Sequence, residues 1–265
     1  MHLPFAVLSE RKMNQTVSIV MPTKGRVRLV RRAVNSVLAQ SYEAFRLVIL
    51  DDSTKEEARE IIELANSDSR IGYVDRNGIG VSEARALGVQ RAKGSFLTFL
   101  DSDDYWANRR LERHLDVWAD NEIGLSWDVC AEIGGPPTLV KQPFAEGLIE
   151  PPRVARKLYL GNFIHASSGF TRTDFARKID FSWSILSDWL LFMRLAESRA
   201  AFFIDDTLSF RSVEPQDRVS NTYSNRFFFR ESRKIRRGVL TANPAVYIPA
   251  SVERSLSRFR RKLRL

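Results

Sequence analysis

The chain predicts an α/β fold, a mostly parallel, doubly wound sheet with helices on both faces. Two observations predict it. Short apolar runs alternate with amphipathic helical patterns through the first hundred or so residues, giving β-α-β-α-β-α-β. Three of those runs also stop abruptly, one at Pro22-Thr23 and two at clustered acids, as strands do when they empty into loops at one edge of a sheet.

The elements follow in order. Val17–Met21 is a β-branched run halted by Pro22 and reads as a buried strand. After Thr23-Lys24-Gly25, the residues Leu29, Val30, Ala33, Val34, Val37 and Leu38 recur at helical spacing. Phe45–Leu50 is a second strand and closes on Asp51-Asp52-Ser53. Residues 55–66 are strong helix formers with acids early and an apolar face at Ala58, Ile61, Ile62 and Ala65. A short strand, Ile71–Val74, leads to the glycine-bearing loop 77–80 and a helix from Ser82 to about Ala92. Ser95–Leu100 is the next strand, ending in Asp101-Ser102-Asp103-Asp104. Beyond it the pattern loosens: 131–152 is rich in Gly and Pro and reads as loop. Helical spacing returns at 153–160 and 187–198, and 200–204 and 208–210 read as short strands.

The three strand ends carrying Pro22-Thr23, Asp51-Asp52 and Asp101-Ser102-Asp103 converge by topology on one crevice, since ligands of open α/β sheets lie beyond the carboxyl ends of the strands. Asp-x-Asp after an extended segment offers two carboxylates on one side of the chain. Hard oxygen donors of this kind suit Mg²⁺ or Mn²⁺, which bind one or two carboxylates together with substrate phosphates. Acids after a strand also serve as turn residues or helix caps, and Asp103 or Asp104 can cap the helix that includes Leu111 and Leu115, a reading equally good for Asp104.

Composition bounds the partners. A chain of 265 residues with 44% hydrophobic and 28% charged residues can build one large domain and is not wholly disordered. No apolar run approaches the roughly 20 residues needed to span a bilayer, and the N-terminus lacks a basic region and a small-residue cleavage site. The lone Cys130 makes no internal disulfide and fits a reducing cytosol as a small core residue. Net charge is +9, but Arg226–Leu265 holds twelve Lys/Arg against Glu231 and Glu253, leaving the first 225 residues at −1. The basicity belongs to the tail, which suggests docking to an anionic surface more than a nucleic-acid footprint over the whole domain.

VSIVMPTKGR, LVILDDS and NGIGVSEARALGVQRAKGSFLTFLDSDDYW stand in the order and at the spacing of family 2 glycosyltransferases, which the chain resembles over about residues 16–212. The resemblance implies the GT-A fold and an inverting, metal-dependent transfer of a sugar from a nucleotide-sugar donor, with a UDP-sugar favoured, to a hydroxyl of a glycan or lipid-linked acceptor. By it Pro22 and Thr23 line the nucleoside pocket, and Asp52 matches the acid that accepts from the uracil N3–H. Asp51 orients the loop. Arg85 lies near base and diphosphate, Asp101 and Ser102 belong to the nucleotide site, and Asp103 ligates Mn²⁺ or Mg²⁺. Residues 161–175 resemble the segment lining the sugar and acceptor pocket, where His165 can touch substrate. The family's Glu-Asp motif departs here: the Glu position is Ser187, while Asp188 is kept and matches the general base. Arg211 resembles a late arginine near the diphosphate, with a salt bridge as an equal alternative. The Gln-x-x-Arg-Trp sequence of processive synthases is absent, so single-sugar addition is expected. His2 is terminal, and His114 lies on a helix without an acid at ligand spacing.

These readings divide the chain into a catalytic domain, 1–225, and a basic helical extension, 226–265. Within the former, 16–105 is the nucleotide-binding half and 106–225 the acceptor half. In 251–265, Val252, Leu256, Phe259 and Leu263 draw one narrow apolar stripe among arginines, the pattern of a helix lying in an anionic membrane interface. Phe227–Phe229, beside Arg226 and Arg230, can help to anchor it. A helix packed on the domain, or one pairing two copies into a homodimer, would carry the same pattern. The expected location is cytoplasmic and peripheral on the inner membrane face. Two other classes compete. A nucleotidyltransferase would need a glycine-rich, lysine-bearing phosphate loop, for which Lys24-Gly25 is too little. A nucleic-acid module would need more aromatics among the basic residues than Phe227–Phe229, and no nucleic-acid partner is expected.

Overall fold

The computed structural model describes residues 15–76, 78, 80–120, 122–135, 138–182, 184–213 and 224–263, with side chains at all of these except 120 and 256–263. The strands β1 (Val17–Thr23), β2 (Phe45–Asp51), β3 (Ile71–Asp75) and β4 (Phe96–Phe99) are mutually parallel. The helices α1 (Val27–Leu38), α2 (Lys55–Asn66) and α3 (Val81–Arg91) are their crossovers. Two hydrophobic clusters lie along this half of the sheet. One holds Ile19, Val30, Val34, Leu47, Ile49 and Ile61; the other holds Val20, Leu50, Ala84 and Val89. Side-chain alternation along β1 therefore serves both clusters, as a sheet covered on both faces requires. A full capping box at Thr54 and Glu57 fixes the start of α2.

The second half of the sheet adds β5 (Tyr105–Trp106), β6 (Ile123–Ile133), β7 (Thr138–Leu139), β8 (Gly147–Ile149), β9 (Gly169–Arg172) and β10 (Ala200–Ser212). The main path of the sheet runs β3-β2-β1-β4-β9-β6-β10-β5, with β7 and β8 as short additions. β9 is antiparallel to both β4 and β6, while β6 and β10 run parallel to each other. The ends of β1, β2, β4, β6 and β10 consequently share one edge with the beginning of β9. Part of the stretch read as loop, 131–152, is strand: β6 continues to Ile133, and β7 and β8 pair with β6 and β10. Backbone hydrogen bonding to a neighbouring strand overrode local Gly and Pro content there.

The remaining helices are α4 (Arg110–Asp120), α5 (Arg153–Leu160), the single turn α6 (Thr173–Ala176), α7 (Ser187–Leu195), α8 (Asn225–Ala242) and α9 (Pro244–Leu263). The basic extension packs on the sheet domain. Ile235, Val239, Tyr247 and Ala250 are buried in the same cluster as Trp189, Leu190 and Leu158. Arg236 donates to the Tyr159 carbonyl at 2.7 Å and lies over the Trp189 ring, and Arg254 donates to the Leu160 carbonyl at 2.7 Å. Of the apolar stripe, Val252 is 53% exposed; Leu256, Phe259 and Leu263 lie outside the described side chains, as does His2.

Below the site edge, α4 and β6 enclose an ionic cluster. Arg110 and Asp128 pair at 2.8 Å, both at 0% exposure, and His114 Nε2 lies 3.0 Å from the same carboxylate. His114 thus has a partner acid that sequence spacing did not reveal, brought from β6 by packing. Burial and the neighbouring Arg110 lower the His114 pKa to about 4, so the ring is neutral and structural. Cys130 is buried and its thiol is pushed up by burial, an inert core residue.

Candidate active site

At the strand-end edge the first two loops are stitched together by hydrogen bonds. The Asp52 amide donates to the Thr23 carbonyl at 2.9 Å, and the Gly25 amide donates to Ser53 Oγ at 2.6 Å. Thr23 Oγ1 in turn donates to the Gly25 carbonyl at 3.3 Å. Asp51 is buried; it accepts from the Ser53 amide at 2.9 Å and from the Tyr73 hydroxyl at 3.1 Å, so it holds the loop from beneath. Asp52 faces outward. Its two oxygens accept the Gly78 and Gly80 amides at 3.1 and 3.0 Å, which pins the carboxylate by the loop after β3. Both glycines have φ near +80°, the left-handed region that lets the loop present its amides there.

Asp101-Ser102-Asp103-Asp104 forms a turn after β4, closed by the Asp104 amide to the Asp101 carbonyl at 2.9 Å. Its three acids have different neighbours. Asp101 accepts from Arg85 Nη2 at 2.6 Å. Asp103 accepts from Arg26 Nη1 at 3.2 Å, and Ser102 Oγ accepts from Arg26 Nη2 at 3.0 Å. The Asp103 carbonyl takes a bond from Arg32 at 2.5 Å. Asp104 is not a helix cap: α4 starts at Arg110, and the Asp104 carboxylate is buried with Ser167 donating to it at 2.6 Å. Burial and the charges of Asp103 and Asp101 push its pKa well above the usual carboxylate range.

Arg85 is the centre of the crevice. Only 4% exposed, it is no surface helix arginine. One of its nitrogens bonds Asp101; the other lies 3.4 Å from Asp188 Oδ1 and 3.3 Å from Ser187 Oγ. The residue standing at the family's Glu position is therefore a buried hydroxyl under the same guanidinium. Asp188 sits in the first turn of α7 with its side chain 15% exposed. Burial raises its pKa, the Arg85 charge opposes this, and Asp101 adds to the rise.

On the far side of the crevice, Arg211 at the end of β10 pairs with Glu132 at the end of β6 and donates to the His165 ring at about 3 Å. The alternative salt bridge of Arg211 is thus present, and it brings His165 and Arg211 together. Ser167 joins the two sides. Its hydroxyl binds Asp104 and accepts the Asp101 amide at 3.1 Å, while its carbonyl accepts the Trp106 indole at 2.8 Å. Sequence reading missed Arg26, Arg32, Ser167 and Glu132. The first was signalled by its place one residue beyond Gly25 in the loop after β1, and Ser167 by its place within 161–175; Arg32 and Glu132 are brought in by packing alone.

The sheet edge, with its acids held by the buried Arg85 and the half-buried Arg26, has the form of a nucleotide-dependent transferase site. The glycosyl transferase family 2 model matches residues 18–179, and the chain belongs to that family. Its fold is GT-A. A Staphylococcus aureus TarS structure in complex with UDP-GlcNAc superposes with a TM-score of 0.68 at 19% identity, covering 85% of this chain and 66% of that one. A mannosyltransferase from Pyrobaculum calidifontis, PcManGT in complex with GDP-Man and Mn²⁺, gives 0.59 at 14% identity, covering 94% and 85%. Among curated relatives, the Escherichia coli enzyme WfgD, a UDP-Glc:α-D-GlcNAc-diphosphoundecaprenol β-1,3-glucosyltransferase, is 33% identical over 113 residues, 42% of this chain and 44% of its own length. Bacillus subtilis TuaG, a putative teichuronic acid biosynthesis glycosyltransferase, is 32% identical over 114 residues, again 42% of this chain and 45% of its own. The chain thus matches less than half the length of these relatives, and only 16% of one from Rickettsia bellii.

Proposed function

We propose that the protein is an inverting glycosyltransferase that moves a sugar from a nucleotide-sugar, with UDP-sugar favoured, to a hydroxyl of a glycan or lipid-linked acceptor. The observation that carries this reading is Arg85, whose buried guanidinium links Asp101 of the Asp-Ser-Asp turn to Asp188. The donor side and the base side of the crevice are thereby held in one geometry.

Pro22 and Thr23 form the floor of the nucleoside pocket, and Asp52, fixed by two backbone amides, keeps lone pairs for the N3–H of uracil. Asp101 and Ser102 bound the ribose and diphosphate region. The residues fit a divalent ion of the Mg²⁺ or Mn²⁺ kind. Asp103 supplies one hard carboxylate at the mouth of the crevice, and no group of three His, Cys, Asp or Glu suited to a closed metal cage occurs among the described residues. Such an ion would take its remaining ligands from diphosphate and water, and it would supply charge neutralisation to the departing diphosphate. Asp188 takes the acceptor proton. Burial raises its proton affinity, as suits a general base, and Arg85 keeps the rise in check. Arg211 and His165 close the acceptor and diphosphate side. WfgD is named for a diphosphoundecaprenol acceptor, and TarS and PcManGT were solved with UDP-GlcNAc and with GDP-Man and Mn²⁺, all of which supports this chemistry.

The acceptor class also gives the tail a use. Along α9, Ala245, Ile248, Pro249 and Val252 recur at helical spacing on the exposed side, opposite buried Tyr247 and Ala250. No helix among the described residues is long and apolar enough to cross a membrane. We therefore assign α9 to peripheral contact with an anionic membrane, on the cytoplasmic side where nucleotide-sugars are made.

Calorimetric titration of UDP, GDP, dTDP and CDP, with and without Mn²⁺, tests the donor site on wild type and Asp103→Ala. One nucleotide should bind in a metal-dependent way that the substitution abolishes. No binding of any nucleotide under either condition would sink the reading.

A further inference from the structure

Arg26 is a non-glycine residue in the left-handed region, φ 61° and ψ 43°, at the N-cap of α1. That conformation costs an arginine roughly 1 kcal/mol or more and persists where surroundings over-determine it. Here the hold is specific: the guanidinium reaches across to the turn after β4 and bonds both Ser102 Oγ, at 3.0 Å, and Asp103 Oδ2, at 3.2 Å. Both partners of the ion pair are largely withdrawn from water, their side chains 17% and 16% exposed. Gly25 just before it also has a positive φ, 65°, so two successive residues of this loop take the left-handed conformation. Of the acids of the turn, Asp101 is bound by the buried Arg85 and Asp104 is buried against Ser167, whereas Asp103 is held from the neighbouring loop by Arg26.

We infer that Arg26 is a stand-in cation: its guanidinium bonds the carboxylate that a divalent ion would need, and it must leave Asp103 for the ion to enter. Resting on the metal-site reading above, this makes ion binding before nucleotide unfavourable and couples it to the diphosphate, whose charge draws the freed guanidinium away. Arg26 is accordingly a positioning residue that sets the order of binding. Like-charged occupants of one carboxylate exclude each other, so each lowers the other's affinity by the same factor.

The test is Mn²⁺ binding, read by the loss of the free-ion electron paramagnetic resonance signal, without nucleotide and again with saturating UDP. The proteins are wild type, Arg26→Gly, Arg28→Ala and Asp103→Asn. Glycine suits the positive φ, so Arg26→Gly removes the guanidinium without adding backbone strain. Arg28 is exposed on α1 and has the same formal charge, so it controls for the general field. Without nucleotide, Arg26→Gly should bind Mn²⁺ about fivefold more tightly than wild type, the release expected of an ion pair that solvent still reaches in part. Arg28→Ala should stay within about twofold of wild type, an exposed charge being screened. With UDP the advantage of Arg26→Gly should vanish. If nucleotide-free affinity is the same in Arg26→Gly and wild type, or rises equally in Arg28→Ala, the stand-in role is wrong while the metal site stands. If wild type takes up no Mn²⁺ even with UDP, or Asp103→Asn loses nothing, the metal-site reading falls and takes the inference with it.

Discussion

Replacing Arg85 by methionine keeps the apolar stem and removes the charge that separates two carboxylates in one crevice. Breaking a fully buried pair by removing one partner costs about 3–5 kcal/mol. Asp101 is 33% exposed and Asp188 15%, so solvent screens part of the orphaned charge, and a loss of about 2–3 kcal/mol is expected at pH 8. The pH dependence distinguishes this from lost packing. Asp188 is already raised by burial with Arg85 opposing, so without Arg85 its folded pKa climbs further above the unfolded value. A raised carboxylate favours the fold below its unfolded pKa, and that contribution is lost as pH rises through the folded pKa. The deficit of Arg85→Met against wild type should therefore be small near pH 4.5 and grow toward pH 8. Urea unfolding of both proteins at half-unit pH intervals measures it. A deficit below about 0.5 kcal/mol, or one constant over that range, would refute the claim that Arg85 neutralises these acids.

Three further outcomes are expected. His114 has a folded pKa of about 4, so the unfolded chain takes up its proton first as pH falls below 6.5; stability should drop by up to about 3 kcal/mol between pH 6.5 and 4, a slope that His114→Gln should flatten in the same urea series. Gly88→Ala, which on an exposed helix would stabilise, should lower stability by about 1–3 kcal/mol in thermal or urea unfolding, because the new Cβ would stand 2.2 Å from Val20 Cγ1 in the α3–β1 contact. The pair Ile248→Asp and Val252→Asp should weaken sedimentation with anionic vesicles at least about tenfold while leaving unfolding within about 0.5 kcal/mol, since both side chains are half exposed; unchanged sedimentation would remove the membrane from the tail's account.

Local sequence pattern alone located the first half of the sheet. Alternating periodicities located β1, α1, β2, α2, β3, α3 and β4 to within a residue or two, because each crossover unit is short and its apolar face must meet the next strand. It also determined where the acids emerge, since a parallel strand can discharge its polar residues only at the carboxyl edge. The tertiary structure alone decided their company. Arg85 and Asp188 lie 103 residues apart, Arg26 and Asp103 77, Asp104 and Ser167 63, and no local pattern announces such pairs. Asp104 reads as a cap in a linear string and becomes a buried acid only when the turn before β9 closes over it. The basic tail carries the same lesson: its apolar spacing announced a helix, but burial of Ile235, Val239 and Tyr247 against α5 and α7 fixed which face was spent on the domain and which was left outside.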